Sequence, residues 1–197
     1  MKNIFLRLMA VALFSSCTNT KAMQDTSWQQ YGRTEQATDP FLQSLQQSNE
    51  LVLVFAVESY AWIKSVNYKA LAMNNGEWTG YNWYVNKSPG AEAVKPNVNP
   101  SSVSNDSGNA VWKFFTDKEV WKVKGDNGES FCTGEKANSC NINDGVQWRL
   151  MIITKDKIID PVYYEPEFFE NCCPGNADRA LFIEAIHRMT GIMGISR

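Results

Sequence analysis

The chain has 197 residues, 44% of them hydrophobic and 12% aromatic, with a formal net charge of −2. That apolar content argues against global disorder, and the absence of a block of clustered cations argues against nucleic-acid binding, which needs such cations to displace counterions. The length suits one domain of ordinary size with a substantial core.

At the N-terminus, Lys2 and Arg7 frame the start of a continuous apolar run, Leu8 to Phe14, which is followed by Ser15, Ser16 and Cys17. A charged start, a short apolar stretch and small residues at a cut site are the layout of a secretory signal. The run is about seven residues, well short of the roughly 20 that a membrane-spanning helix requires. LFSSC, residues 13–17, resembles the lipobox of bacterial lipoproteins, with Phe14 standing where that pattern prefers Leu. The resemblance covers the first 17 residues only. It implies cleavage after residue 16 and acylation of Cys17 with palmitate-like chains. The protein would then be tethered to a cell-envelope membrane, facing the periplasm or the cell surface. Each buried methylene contributes about 0.8 kcal/mol, so several acyl chains on one cysteine anchor a protein firmly. An ordinary signal cut after Ala22, with Cys17 discarded, is the alternative. Loss of residues 1–16 removes Lys2 and Arg7 and no acid, which takes the net charge from −2 to −4.

Residues 18–38 are polar and aperiodic and read as a flexible tether. A single domain is expected over residues 39–197. Asp39-Pro40 opens a short helix, PFLQSLQQS, with Phe41, Leu42 and Leu45 on one face. Leu51 to Val57 is an apolar run of branched residues, the pattern of a strand buried on both faces. Val66 to Val85 contains two strand-like arms around Asn75-Gly76, a hairpin signal because both turn positions tolerate positive φ.

Asn86 to Asn109 is rich in Asn, Pro, Ser and Gly and reads as a long loop. Ala110 to Val123 is amphipathic without a clear period. Asp126-Asn127-Gly128 is a turn. Val146 to Thr154 is a strand that Lys155 to Lys157 turns into IIDPVYY. The last element is a helix capped by Asn176, with Phe182, Ala185, Ile186 and Met189 on its apolar face, an i,i+4 pair of Glu184 and Arg188 on the polar side, and Gly191 at its end. Hairpins in the middle and helices at both ends predict an α+β fold, an antiparallel sheet with the C-terminal helix packed on one face.

Four cysteines follow Cys17: Cys132, Cys140, Cys172 and Cys173. An even number in an exported chain reads as two disulfides. Pairing the adjacent Cys172 and Cys173 would close a strained ring, which leaves two schemes, each joining the Cys132/Cys140 loop to the Cys172-Cys173 pair. A local Cys132–Cys140 bridge is the rival. A four-cysteine zinc site lacks the usual Cys-x-x-Cys spacing, and the same absence speaks against a thioredoxin-like redox motif.

Candidate chemistry is sparse. His187 is the only histidine and lies at the edge of the apolar face of the terminal helix, a poor position for a catalytic base. Asp160, Glu165, Glu167 and Glu170 cluster in DPVYYEPEFFEN, and paired carboxylates among aromatics are what glycosidases use. Glu58 ends an apolar strand, where burial would raise its pKa. Trp78, Tyr81 and Trp83 crowd the second arm of the hairpin. On a strand, Tyr81 and Trp83 share one face, with Gly80, Asn82 and Tyr84 on the other. Such aromatics ordinarily fill a core; if one face is exposed, they would anchor a protein partner or stack on sugar rings. No nucleotide, zinc-protease or serine-hydrolase motif is present, and neither cofactor nor metal is expected. The expectation is a non-enzymatic envelope lipoprotein that works as a binding module, such as an inhibitor or immunity-like protein with a protein partner. The alternatives are a carbohydrate-binding surface protein and a small carboxylate-based hydrolase.

Overall fold

The structure is a computed structural model that describes residues 30–59, 64–89, 97–126, 132 and 140–193. Its strands form one antiparallel sheet: β1 (Arg33–Thr34), β2 (Leu51–Ser59), β3 (Ser65–Asn74), β4 (Glu77–Asn86), β5 (Asn99–Ser102), β6 (Val146–Ile153), β7 (Lys157–Ile159) and β8 (Val162–Tyr164). The spatial order is β1-β7-β6-β2-β3-β4-β5, with β8 also paired to β6. The helices are α1 (Pro40–Ser48), α2 (Asn105–Asp117), α3 (Pro166–Cys172) and α4 (Ala177–Gly191), and a 3-10 turn spans Val120–Lys122. The fold is α+β, as the hairpin-rich sequence predicts.

β2 lies at the centre because both its faces are apolar. Leu51, Leu53 and Phe55 point into one core with α2, α4 and the 3-10 turn. Val52, Val54 and Ala56 point into a second core with α1. β2 pairs with β3 on one side and β6 on the other along nearly its whole length. The β3–β4 hairpin turns at Asn75 (φ 52°) and Gly76 (φ 78°), the two positive φ values that a tight two-residue turn demands.

The helix ends are made by side chains. Asp39 accepts from the backbone N–H of Leu42 at 2.8 Å and Asn176 from that of Arg179 at 3.0 Å. Each satisfies one of the donors that a helix start leaves without an internal partner. Phe182, Ala185, Ile186 and Met189 are all at most 1% exposed, which confirms the expected face of α4. Arg188 places its guanidinium carbon 4.3 Å from the ring centre of Phe114, linking α4 to α2.

Two boundaries differ from expectation. The polar stretch 18–38 is not all tether: Arg33 and Thr34 pair with β7, and the N–H of Ala37 donates to the buried Gln46 Oε1 at 2.8 Å. Nor is 86–109 a continuous loop. It contains β5 on the sheet edge, where Pro100 is tolerated, and the first turn of α2. That turn, Asn105 to Gly108, has poor helix propensity. It is helical because Ser104 caps it and because Gly108 lets the indole of Trp78 lie against the helix. A Cβ at residue 108 would fall 2.3 Å from Trp78 Cγ. Val111, Trp112 and Phe115 continue the same buried stripe. The Asp126-Asn127-Gly128 turn and Cys17 extend or lie outside the described residues.

Candidate functional site

The four cysteines form two bridges, Cys132–Cys173 and Cys140–Cys172, with Cα separations of 5.6 and 6.0 Å. Both join the segment before β6 to the C-terminal end of α3, as the double staple predicts. Arg179, in the first turn of α4 and 2% exposed, reinforces the same corner. It donates to Glu170 Oε2 at 2.8 Å and to the carbonyl of Cys173. The start of α4 is thereby fixed by two covalent links and one buried cation.

The aromatic hairpin arm is core. Trp78 and Trp83 are each 4% exposed, so neither forms a surface platform, contrary to the binding role expected of them. Trp78 packs on α2 and donates its indole N–H to Asn109 Oδ1 at 3.0 Å. Tyr81 and Trp83 do share a face, but α1 covers it. Phe41 meets both edge-on, at 5.7 and 5.0 Å between ring centres, and Tyr68 stacks on Trp83 at 4.6 Å. The exposed member of the arm is Tyr84, on the opposite face and 46% exposed.

The carboxylates of residues 160–170 do not converge. Glu165 accepts from the N–H of Val146 at 2.7 Å, Glu167 lies 2.7 Å from His187 Nε2, and Glu170 binds Arg179. His187 is thus held beside one surface carboxylate between α3 and α4.

Asp160 goes elsewhere, to Arg149, which also holds Glu58, a residue that stood out separately in the sequence. Pro161 has no N–H and breaks the sheet edge into β7 and β8, and Asp160 turns inward at that break. Arg149 of β6 donates to Asp160 Oδ2 at 2.6 Å and to Glu58 Oε1 of β2 at 2.9 Å. Glu58 and Arg149 share the α1 side of the sheet with Tyr68, because Ala56 pairs with both Tyr68 and Arg149, and Glu58 lies two residues further along β2. The cluster is a carboxylate–guanidinium–carboxylate bridge at the margin of the α1 core. Burial raises the pKa of Asp160 and Arg149 only partly reverses it. Burial opposes the charge on Arg149 too, but Asp160 and then Glu58 outweigh it and the pKa stays above its usual value. Tyr68 is held protonated, first by burial and then by Asp39 and Glu58. The signal missed in the sequence was Arg149, a lone cation inside the apolar run of β6.

Asp160 also lines a groove of about 450 Å³ along the β1–β7 edge, with Tyr31, Arg33, Trp121, Lys122 and Lys124. Tyr31 is 47% exposed. Arg33 reaches Asp160 at 3.5 Å and Glu35 at 3.2 Å, and Lys122 reaches Glu119 at 2.7 Å. The Arg33–Glu35 and Lys122–Glu119 pairs are exposed at both ends and are worth little individually.

The chain matches no protein-family profile and no curated protein sequence. Among the described residues no helix is long and apolar enough to cross a membrane.

Proposed function

We propose that this protein is exported, held to a cell-envelope membrane by acyl chains on Cys17, and that its stapled domain acts by binding another protein, in the manner of an inhibitor or immunity protein. The groove at the β1–β7 edge carries this reading. It offers an exposed tyrosine, an arginine and two lysines beside the apolar residues Trp121, Val123 and Ile159, and aromatic and arginine anchors next to apolar surface are what protein interfaces favour. The two disulfides support the compartment, since such bridges persist where the surroundings are oxidising.

The test replaces Tyr31 with a benzophenone-bearing residue and, in a second strain, does the same at Tyr84, followed by irradiation of intact cells. One discrete protein adduct is expected from position 31 and none from position 84. It should disappear when Lys122→Glu and Lys124→Glu are added. No adduct, or the same adducts from both positions, would remove the groove reading. Intact mass spectrometry of the membrane fraction tests the anchor: a chain beginning at Met23 without acyl groups would exclude it.

A second reading, a carboxylate hydrolase, draws on the meeting of Glu58 and Asp160 at Arg149. A carboxyl with a raised pKa suits a general acid. It ranks second because Arg149 already occupies one oxygen of each acid. Turnover of aryl glycosides that is lost on Glu58→Gln and on Asp160→Asn would promote it.

A further inference from the structure

Two disulfides that merely staple a fold can stand apart, but here they touch. The Sγ atoms of Cys173 and Cys140, which belong to different bridges, are 3.4 Å apart. Neither sulfur carries a proton, so this is a non-bonded contact rather than a hydrogen bond. The Sγ atoms of Cys132, Cys140 and Cys173 all lie within 4.8 Å of one another. The cause is in the sequence: Cys172 and Cys173 are adjacent, so both bridges must end at one point of the chain.

We propose that the four cysteines are one thiol–disulfide exchange unit, addressed by a dithiol reductant, in which the bridge at Cys140 moves between Cys172 and Cys173. Disulfides exchange by attack of a thiolate on a bridge sulfur, and Cys173 already lies in contact with the sulfur it would attack. Cys140 is 7% exposed, whereas Cys132, Cys172 and Cys173 are partly accessible. The Cys132–Cys173 bridge is accessible at both ends and the Cys140–Cys172 bridge at one only, so the first is opened first. The dithiol attacks Cys132 Sγ and Cys173 leaves. The second thiol of the reductant then attacks the mixed disulfide and releases Cys132. Two electrons have passed to the protein, both cysteines are thiols and the reductant is a disulfide.

Cys173, having lost its proton, then attacks Cys140 Sγ. The Cys140–Cys173 bond forms as the Cys140–Cys172 bond breaks, and Cys172 leaves as a thiolate and is protonated. This second step moves no net electrons. The covalent link from Cys140 to the end of α3 survives, and the reactive thiols end at Cys132 and Cys172. One two-electron input thus changes which thiols are presented without unfastening α4.

The experiment uses Cys132→Ser in the full chain. The folded protein is labelled with N-ethylmaleimide, reduced, alkylated with iodoacetamide and sequenced by fragmentation between residues 172 and 173. With exchange, the maleimide is found on Cys172 in some molecules and on Cys173 in others, neither below about a tenth of the total, a bias of under about 1.4 kcal/mol. Label on Cys172 alone also supports exchange, since it places the bridge at Cys140–Cys173. Label on Cys173 alone would overturn it. If the variant does not fold, the wild-type chain is treated with limiting dithiothreitol and quenched in acid. Singly reduced molecules should then include the Cys140–Cys173 bridge, and finding only the two native bridges would overturn the proposal.

Discussion

The two faces of the sheet are made by the same strands and are covered to different depths. On one, α2, the 3-10 turn and α4 lie over Leu51, Leu53, Phe55, Leu71, Leu150 and Ile152. On the other, the nine-residue α1 covers Val52, Val54, Ala70, Trp83 and Ile153. Beyond its reach the strand positions on that face become Glu58 and Arg149. The covered face spends its residues on packing; the margin of the other carries a charge network that ties β2, β6 and the β7–β8 break together. Apolar burial contributes in proportion to area removed from water, whereas a bridged ion cluster needs every partner in place.

The largest effect expected from this contrast is at the deep face. Phe182→Ala should cost about 3–5 kcal/mol, and Leu45→Ala on α1 about 2 kcal/mol, the low end for a large-to-small change, because a short helix at the surface can settle into the space. Urea midpoints of the two variants check this, and equal losses would mean that α1 is bound to the sheet as firmly as α4.

Next is Arg149→Met. It leaves Glu58 and Asp160 on the α1 face without their shared cation. A fully buried pair broken this way loses about 3–5 kcal/mol, but Arg149 is 26% exposed, so solvent screening brings the expected loss to about 2 kcal/mol. The loss should shrink in acid, where the carboxylates are protonated. A loss independent of pH would show that Arg149 acts by packing alone.

The smallest effect is a slope. Asp160 has a pKa raised above the usual carboxylate value of 3.8, chiefly by burial. The folded state therefore holds this proton to higher pH than the unfolded state does. The group's favourable contribution is complete below the unfolded pKa and is lost as pH rises through the folded one. The stability of the wild-type chain relative to Asp160→Asn should accordingly fall as pH rises through and above the ordinary carboxylate range. Chemical denaturation at several pH values gives the difference, and a rise would mean that Arg149 dominates over burial.

Much of the local structure on both faces was legible in the sequence. The four buried positions of α4, the caps at Asp39 and Asn176, and the Asn75-Gly76 turn depend on neighbours within a few residues, so local pattern suffices. The first turn of α2 was not legible. Asn105 to Gly108 carries loop-like residues, and its helicity depends on Trp78, about thirty positions away. The charge cluster was half legible. Glu58 and Asp160 each stood out, one at the end of a strand and the other among aromatics. Their partner did not, because one arginine in an apolar strand gives no sign of which residues cross from neighbouring strands. The aromatic arm was left open between core and binding surface for the same reason: alternation placed Tyr81 and Trp83 together but could not say that α1 lies over them.

By itself the sequence determined the α+β class and the type of most elements, and it favoured two bridges between the Cys132/Cys140 segment and the Cys172-Cys173 pair over a local Cys132–Cys140 bridge. Each follows from periodicity, turn chemistry or short covalent reach. Only the tertiary structure decided which cysteine meets which, that the two bridges touch, that Trp78 and Trp83 are core, and that Glu58, Arg149 and Asp160 meet. Those outcomes depend on strand register and on which helix covers which face, and the contacts that set register and cover join residues far apart in the chain.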